Sequence, residues 1–219
     1  MSLLLLKSII QKMVEFLTRK GVVMSMINKK GFTLIELLAA MVILGMIMVI
    51  AIPNITGILN NSRNQTYVED AKKFISMAEY KFRTDKNMAK PTEGSGGTID
   101  LGCVFISLSY LDKSEFKDAP NGSPYLLDKS LVIVRLVNNT YEYRVILLDS
   151  DGKGVINKTK EELYNSKSND LITKIDLNNT NELEGPRIIN SANWLFKIRG
   201  KLYSAKTWYA GSGIVPYSL

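Results

Sequence analysis

The chain has 219 residues, one cysteine, no histidine and a formal net charge of +7. That length holds one domain of ordinary size with appendages, and it can bury a core without disulfides. An intramolecular disulfide, the usual zinc sites, Ser-His-Asp triads and Cys-His pairs are all excluded within it, so no catalytic residue, metal or cofactor is expected.

Residues 1–31 hold Lys7, Lys12, Arg19, Lys20, Lys29 and Lys30 against Glu15, which is +5 of the +7 and leaves +2 for the remainder. A duplex-binding domain would carry its basic stripe on the folded part. Here the positive charge precedes a hydrophobic span, where it reads as a cytoplasmic flank, and nucleic acid is disfavoured as a partner.

Phe32 to Ile52 is almost unbroken apolar sequence. As a helix it rises about 31 Å, the thickness of a hydrocarbon core. Lys29 and Lys30 fix its start inside, so the chain after Pro53 is expected outside the cytoplasm. A secretory signal would have a shorter apolar core and a small-x-small cleavage site; Val49-Ile50-Ala51-Ile52-Pro53 is not one. A plain single-pass anchor is the other simple reading. Glu36 argues against it, because a carboxylate at a bilayer centre costs on the order of 2.5–3.5 kcal/mol. One turn inside the span, the positive end of the helix dipole reduces that cost.

Lys30-Gly31-Phe32-Thr33-Leu34-Ile35-Glu36 resembles the class III signal of type IV prepilins and pseudopilins. The resemblance implies cleavage by a membrane prepilin peptidase between Gly31 and Phe32, N-methylation of Phe32, and Glu36 as the fifth residue of the mature chain. Gly45 and Pro53 fall at spacings the family favours, in a segment that tends to lose helix in filaments. The implied domains are a removed leader (1–31), a transmembrane half-helix (32–52), an amphipathic half-helix (53–88) and a globular head (89–219). Two starts compete: Met1 with a long leader, or Met24 or Met26 with a short one. The internal start is favoured because residues 1–23 form no signal of their own.

Further implications are a subunit, major or minor, of a surface pilus for adhesion, twitching motility or aggregation, with other pilin subunits and the pilus assembly platform as partners. The precursor would span the cytoplasmic membrane once before reaching the extracellular filament. The alternative is a pseudopilin of a type II secretion or DNA-uptake system. Many family members staple the head with a disulfide that this chain cannot form, which resembles Gram-positive pilins.

Beyond Pro53, Val68, Ala71, Ile75, Ala78 and Phe82 recur at helical spacing, with Arg63, Glu69, Asp70, Lys72, Lys73, Glu79 and Lys81 on the other face. Pro53 is expected to kink or interrupt this helix, and Gly57 adds give. Pro91–Gly97 reads as a loop and Cys103–Tyr110 as a strand. Leu131–Val137, Asn138-Asn139 and Tyr141–Leu148 form a hairpin with Tyr141, Tyr143, Val145 and Leu147 on one side. Thr159-Lys-Glu-Glu162 resembles a capping box opening a helix to about Asn165. Residues 166–190 read as an irregular excursion. Trp194, Phe196 and Ile198 alternate as a strand, turned at Gly200-Lys201 into another ending near Tyr209.

The expected fold class is α+β, the type IV pilin fold: a long amino-terminal helix packed against an antiparallel sheet of four or five strands. Asp149-Ser-Asp151-Gly152-Lys-Gly154 hints at a calcium loop. The glutamate that an EF-hand requires is replaced by Lys158, and a hairpin turn is preferred. Cys103 reads as a buried thiol rather than a lipid-attachment site. Asn54, Asn64 and Asn138 begin sequons and are weak signals.

Overall fold

A computed structural model describes residues 34–94, 99–111, 114, 116, 118–190, 193–211 and 213–215, without the side chains of 49–54, 189–190 and 213–215. Its elements are α1 (Leu34–Thr84), β1 (Ile99–Ser107), a 3-10 turn (Leu108–Tyr110), β2 (Leu131–Val137), β3 (Thr140–Leu148) and β4 (Lys153–Thr159). There follow α2 (Lys160–Asn165), α3 (Ser168–Leu171), β5 (Ile172–Lys174), β6 (Leu183–Asn190), β7 (Asn193–Ile198), β8 (Lys201–Ala210) and β9 (Gly213–Val215). The chain divides into two units at Pro53 and Asn54.

α1 is helical on both sides of Pro53, so the expected interruption is not there. A proline removes one backbone hydrogen bond, and a helix can survive that loss. The helix stops at Thr84, short of the expected 88. Asp85 ends it with a turn in which its Oδ1 accepts from the Asn87 N–H at 3.0 Å. Lys81 and Arg83 in the last turn suit the negative end of the dipole.

In the second unit the predicted stripe is the core face of α1. Tyr67, Val68, Ala71, Phe74, Ile75, Ala78 and Phe82 are all buried. They meet Val104 and Ile106 of β1, Val132 and Val134 of β2, and Tyr143, Val145 and Leu147 of β3. Alternate residues of the same strands (Cys103, Phe105, Leu131, Ile133, Ile146, Leu148) face a second cluster with Trp194, Phe196, Ile198 and Tyr203. The central strands are therefore buried on both faces, which explains their unbroken apolar runs.

The sheet runs β5-β4-β3-β2-β1-β8-β7-β6, with β9 on β8. Among the described residues it has nine strands rather than four or five. It is also not purely antiparallel, because β1 and β8 pair in parallel. The short strands β5 and β9 and the polar β6 lack the apolar alternation that marks a strand, so 166–190 holds α3, β5 and β6 instead of irregular chain. The sheet curls. The Tyr203 hydroxyl donates to Asn157 Oδ1 at 2.8 Å, although β8 and β4 stand four strand spacings apart, about 19 Å if flat. No tyrosine spans that, so the strands wrap around the second cluster.

Local chemistry fits these turns. Asn138 and Asn139 take φ of 49° and 61°, the left-handed pair a two-residue hairpin needs. Thr159 caps α2: its hydroxyl accepts from the Glu162 N–H at 3.2 Å, and Glu162 returns a carboxylate to the Thr159 N–H at 2.8 Å. Burial alone would raise the Glu162 carboxyl; the Thr159 N–H and Lys158 outweigh it and hold it below its ordinary value.

Candidate functional site

Lys29, Lys30, Gly31 and Phe32 lie outside the described residues. Glu36 occupies the first turn of α1 and is partly exposed. Around it Leu34, Ile35, Leu37, Leu38, Met41, Val42, Leu44, Met46, Ile47 and Met48 are exposed, on every side of the helix. Each such side chain gains roughly 1.5–3 kcal/mol when removed from water, so lipid or other protein must cover them. A Cβ added at Gly45 would meet nothing within 4 Å, so no contact among the described residues demands a glycine there. Pro53 is within the helix.

Among the described residues no helix is long and apolar enough to cross a membrane. Of the span read as 32–52, residues 32–33 and the side chains of 49–52 fall outside the description.

The head is fixed to α1 by a polar latch. The Tyr67 hydroxyl donates to Asp149 Oδ2, and the Tyr125 hydroxyl donates to Asp70 Oδ2 at 2.6 Å. Asn121 Nδ2 donates to Asp149 at 3.0 Å and to Asp151 at 3.1 Å, and Ser123 Oγ to Asp151 at 2.6 Å. Asp149 Oδ1 accepts the backbone N–H groups of Asp151 and Lys153, both at 2.9 Å. Helix, 119–125 loop and β3–β4 turn are thus tied together. Burial, and then the carboxylates beside them, push both phenols well above the ordinary tyrosine value. Burial also raises the Asp70 carboxyl, against the opposing pull of the Tyr125 hydroxyl and Lys73.

Sequence reasoning placed Asp70 on the open face of the helix and read Asp149 as a turn residue only. The first is corrected by its bond to Tyr125, and the second gains a buried role, since Asp149 is 0% exposed. The only local signal was a tyrosine and an aspartate three residues apart on α1. Their partners lie more than fifty residues away. The Asp149 turn closes as a hairpin, with the Asp149 N–H donating to the Lys153 carbonyl at 3.0 Å. Among the described residues no group of three or more His, Cys, Asp or Glu is placed to hold a metal. Cys103 is buried, with its thiol pushed up to about 12 by burial and Asp100.

Residues 26–52 match the family described as the prokaryotic N-terminal methylation motif. The chain carries that methylation motif. It supports a type IV pilin-like precursor, pilin or pseudopilin. No curated protein and no solved structure matches the chain. The methylation motif ends at residue 52, one residue before the boundary between the two units, so it speaks for the amino-terminal unit and not for the head.

Proposed function

We propose that the chain is a structural subunit of a type IV pilus, cleaved after Gly31, N-methylated on Phe32 and polymerised through α1. The observation that carries this reading is the methylation motif at residues 26–52, continued by a helix whose apolar side chains are exposed on all sides. Lys29 and Lys30 hold the leader at the cytoplasmic face, and a prepilin peptidase removes it. Released from the bilayer, the helix is covered by the same surface of its neighbours, which replaces lipid with protein at little change in polarity.

Glu36 then has a partner suited to it. The new Phe32 amine of an adjacent subunit neutralises the carboxylate, and a subunit out of axial register leaves both charges unpaired in a low-dielectric core. Gly45 and Pro53 supply the give that packing such helices requires. The α+β head, with α1 laid against a curled sheet, fits the pilin plan and stands outward to meet other cells or surfaces.

Mass spectrometry on filaments sheared from the producing cells tests the reading. A peptide beginning at methylated Phe32 is the expected result, abundant for a major subunit and scarce for a minor one. Processed protein confined to membranes would favour the pseudopilin, and an uncut amino terminus would return the chain to a plain anchor. Gly31→Arg should leave the precursor uncut, read as a slower band on a gel.

A further inference from the structure

The chain contains one Asn-Gly pair, Asn121-Gly122, and the fold places it in the latch. Asn121 is exposed, in a turn closed by the Gly122 N–H, which donates to the Ala119 carbonyl at 2.8 Å. Its side-chain amide is engaged at both ends. Nδ2 donates to Asp149 at 3.0 Å and to Asp151 at 3.1 Å, and Oδ1 accepts from the Ser123 N–H at 3.1 Å. Asp149 is fully buried and also takes the Tyr67 hydroxyl from α1. One amide therefore bridges the 119–125 loop to the two carboxylates of the β3–β4 turn.

Asparagine before glycine is the pair in which a polypeptide loses a side-chain amide most readily, because glycine puts no side chain beside the attacking nitrogen. The Gly122 nitrogen adds to Asn121 Cγ, the Cγ–Nδ2 bond breaks, and the Gly122 amide proton departs with the leaving group as ammonia. Water then opens the cyclic imide at either carbonyl, giving aspartate or isoaspartate. Nothing is oxidised or reduced, and water is the one co-reactant. In the closed head each reacting group is held. The Gly122 N–H, whose proton must leave, is hydrogen-bonded to Ala119. The Asn121 amide cannot turn without breaking its bonds to Asp149, Asp151 and Ser123. The carboxylates beside Nδ2 only accept hydrogen bonds when ionised, so they offer no proton to a leaving nitrogen.

We propose that Asn121 is a deamidation site which the latch keeps silent, and that its reaction unfastens the latch irreversibly. The amide is lost only while the 119–125 loop stands open, so the rate follows the open population. The product cannot take the amide's place. A carboxylate at position 121 has no N–H to offer Asp149 and Asp151, and it faces them as a third like charge. Isoaspartate also lengthens the main chain inside the turn and displaces the Gly122 N–H from its partner. A head that has stayed closed keeps its amide, and one that has been open carries a chemical record of it. This inference does not depend on the filament reading.

Residues 118–129, which trypsin releases by cutting at Lys117 and Lys129, contain one asparagine and no glutamine, so a mass gain in that peptide reports Asn121 alone. The purified full chain is kept in detergent at mildly alkaline pH, folded or in guanidinium chloride, and sampled over days. The mass gain should appear about tenfold more slowly, or slower still, in the folded chain, because closed molecules contribute nothing. Asp151→Ala, checked by circular dichroism to be folded, should react several-fold faster than the unaltered chain; Ser123→Ala takes its place if it does not fold. Asn121→Asp carries the product's charge from the start and should unfold at a lower guanidinium midpoint. Equal rates in the folded and unfolded chain would overturn the protection, as would a folded latch variant that reacts no faster. An unchanged midpoint for Asn121→Asp would overturn the irreversible unfastening.

Discussion

Glu36 stands one turn into an apolar stretch, where a lone carboxylate is expensive and a paired one is not. On the proposed pairing of Glu36 with the Phe32 amine, Glu36→Val should leave cleavage at Gly31 intact yet remove the subunit from sheared filaments. Normal incorporation of that variant would end the register argument. Asp70 poses the opposite case in the head. Its folded-state value is raised, so the folded chain holds the proton more tightly than the unfolded chain. That contribution is complete below the ordinary carboxylate range and is lost as pH rises through the raised value. Asp70→Asn keeps an acceptor for the Tyr125 hydroxyl and cannot ionise. Its stability relative to the unaltered chain should therefore grow from acid to neutral pH, read from urea midpoints in detergent. A constant difference would show that Asp70 does not titrate in this way.

The β3–β4 connection shows how an element depends on backbone approach. A Cβ at Gly154 would lie 1.8 Å from the Leu147 carbonyl oxygen, which is backbone and cannot swing aside. Gly154→Ala should cost ~1–3 kcal/mol or more by the overpacking it forces, lowering the midpoint of thermal unfolding. An unchanged midpoint would mean that the two strands can separate at that point without loss. The motif explains little at this scale. α2 was legible because a capping box is a local pattern. β5, β6 and β9 were not, since a short or polar edge strand is defined by the neighbour it pairs with.

At the scale of the molecule, two cores share one sheet, and their contents differ in origin. The first is the α1 stripe against alternate strand residues. The second is closed by the curl, which brings Phe196 of β7 edge-on to Phe105 of β1 at 6.3 Å. Phe196→Ala should cost about 3–5 kcal/mol, as truncation of a buried ring does. It should unfold the head while peptidase cleavage proceeds, since Gly31 belongs to the other unit. Loss of cleavage in that variant would show that processing reads the head.

The sequence by itself determined the methylation motif at residues 26–52, because a run of apolar residues, one carboxylate and two flanking lysines form a local pattern that needs no tertiary partner to be read. It also determined the α1 stripe, the Asn138-Asn139 hairpin and the Thr159 cap, all set by contacts within a few residues. Only the tertiary structure decided the parallel β1–β8 pairing, the curl of the sheet, and the Tyr67–Asp149 and Tyr125–Asp70 latch. Each of these joins residues far apart in the chain, and sequence spacing carries no distance between them until the fold supplies it.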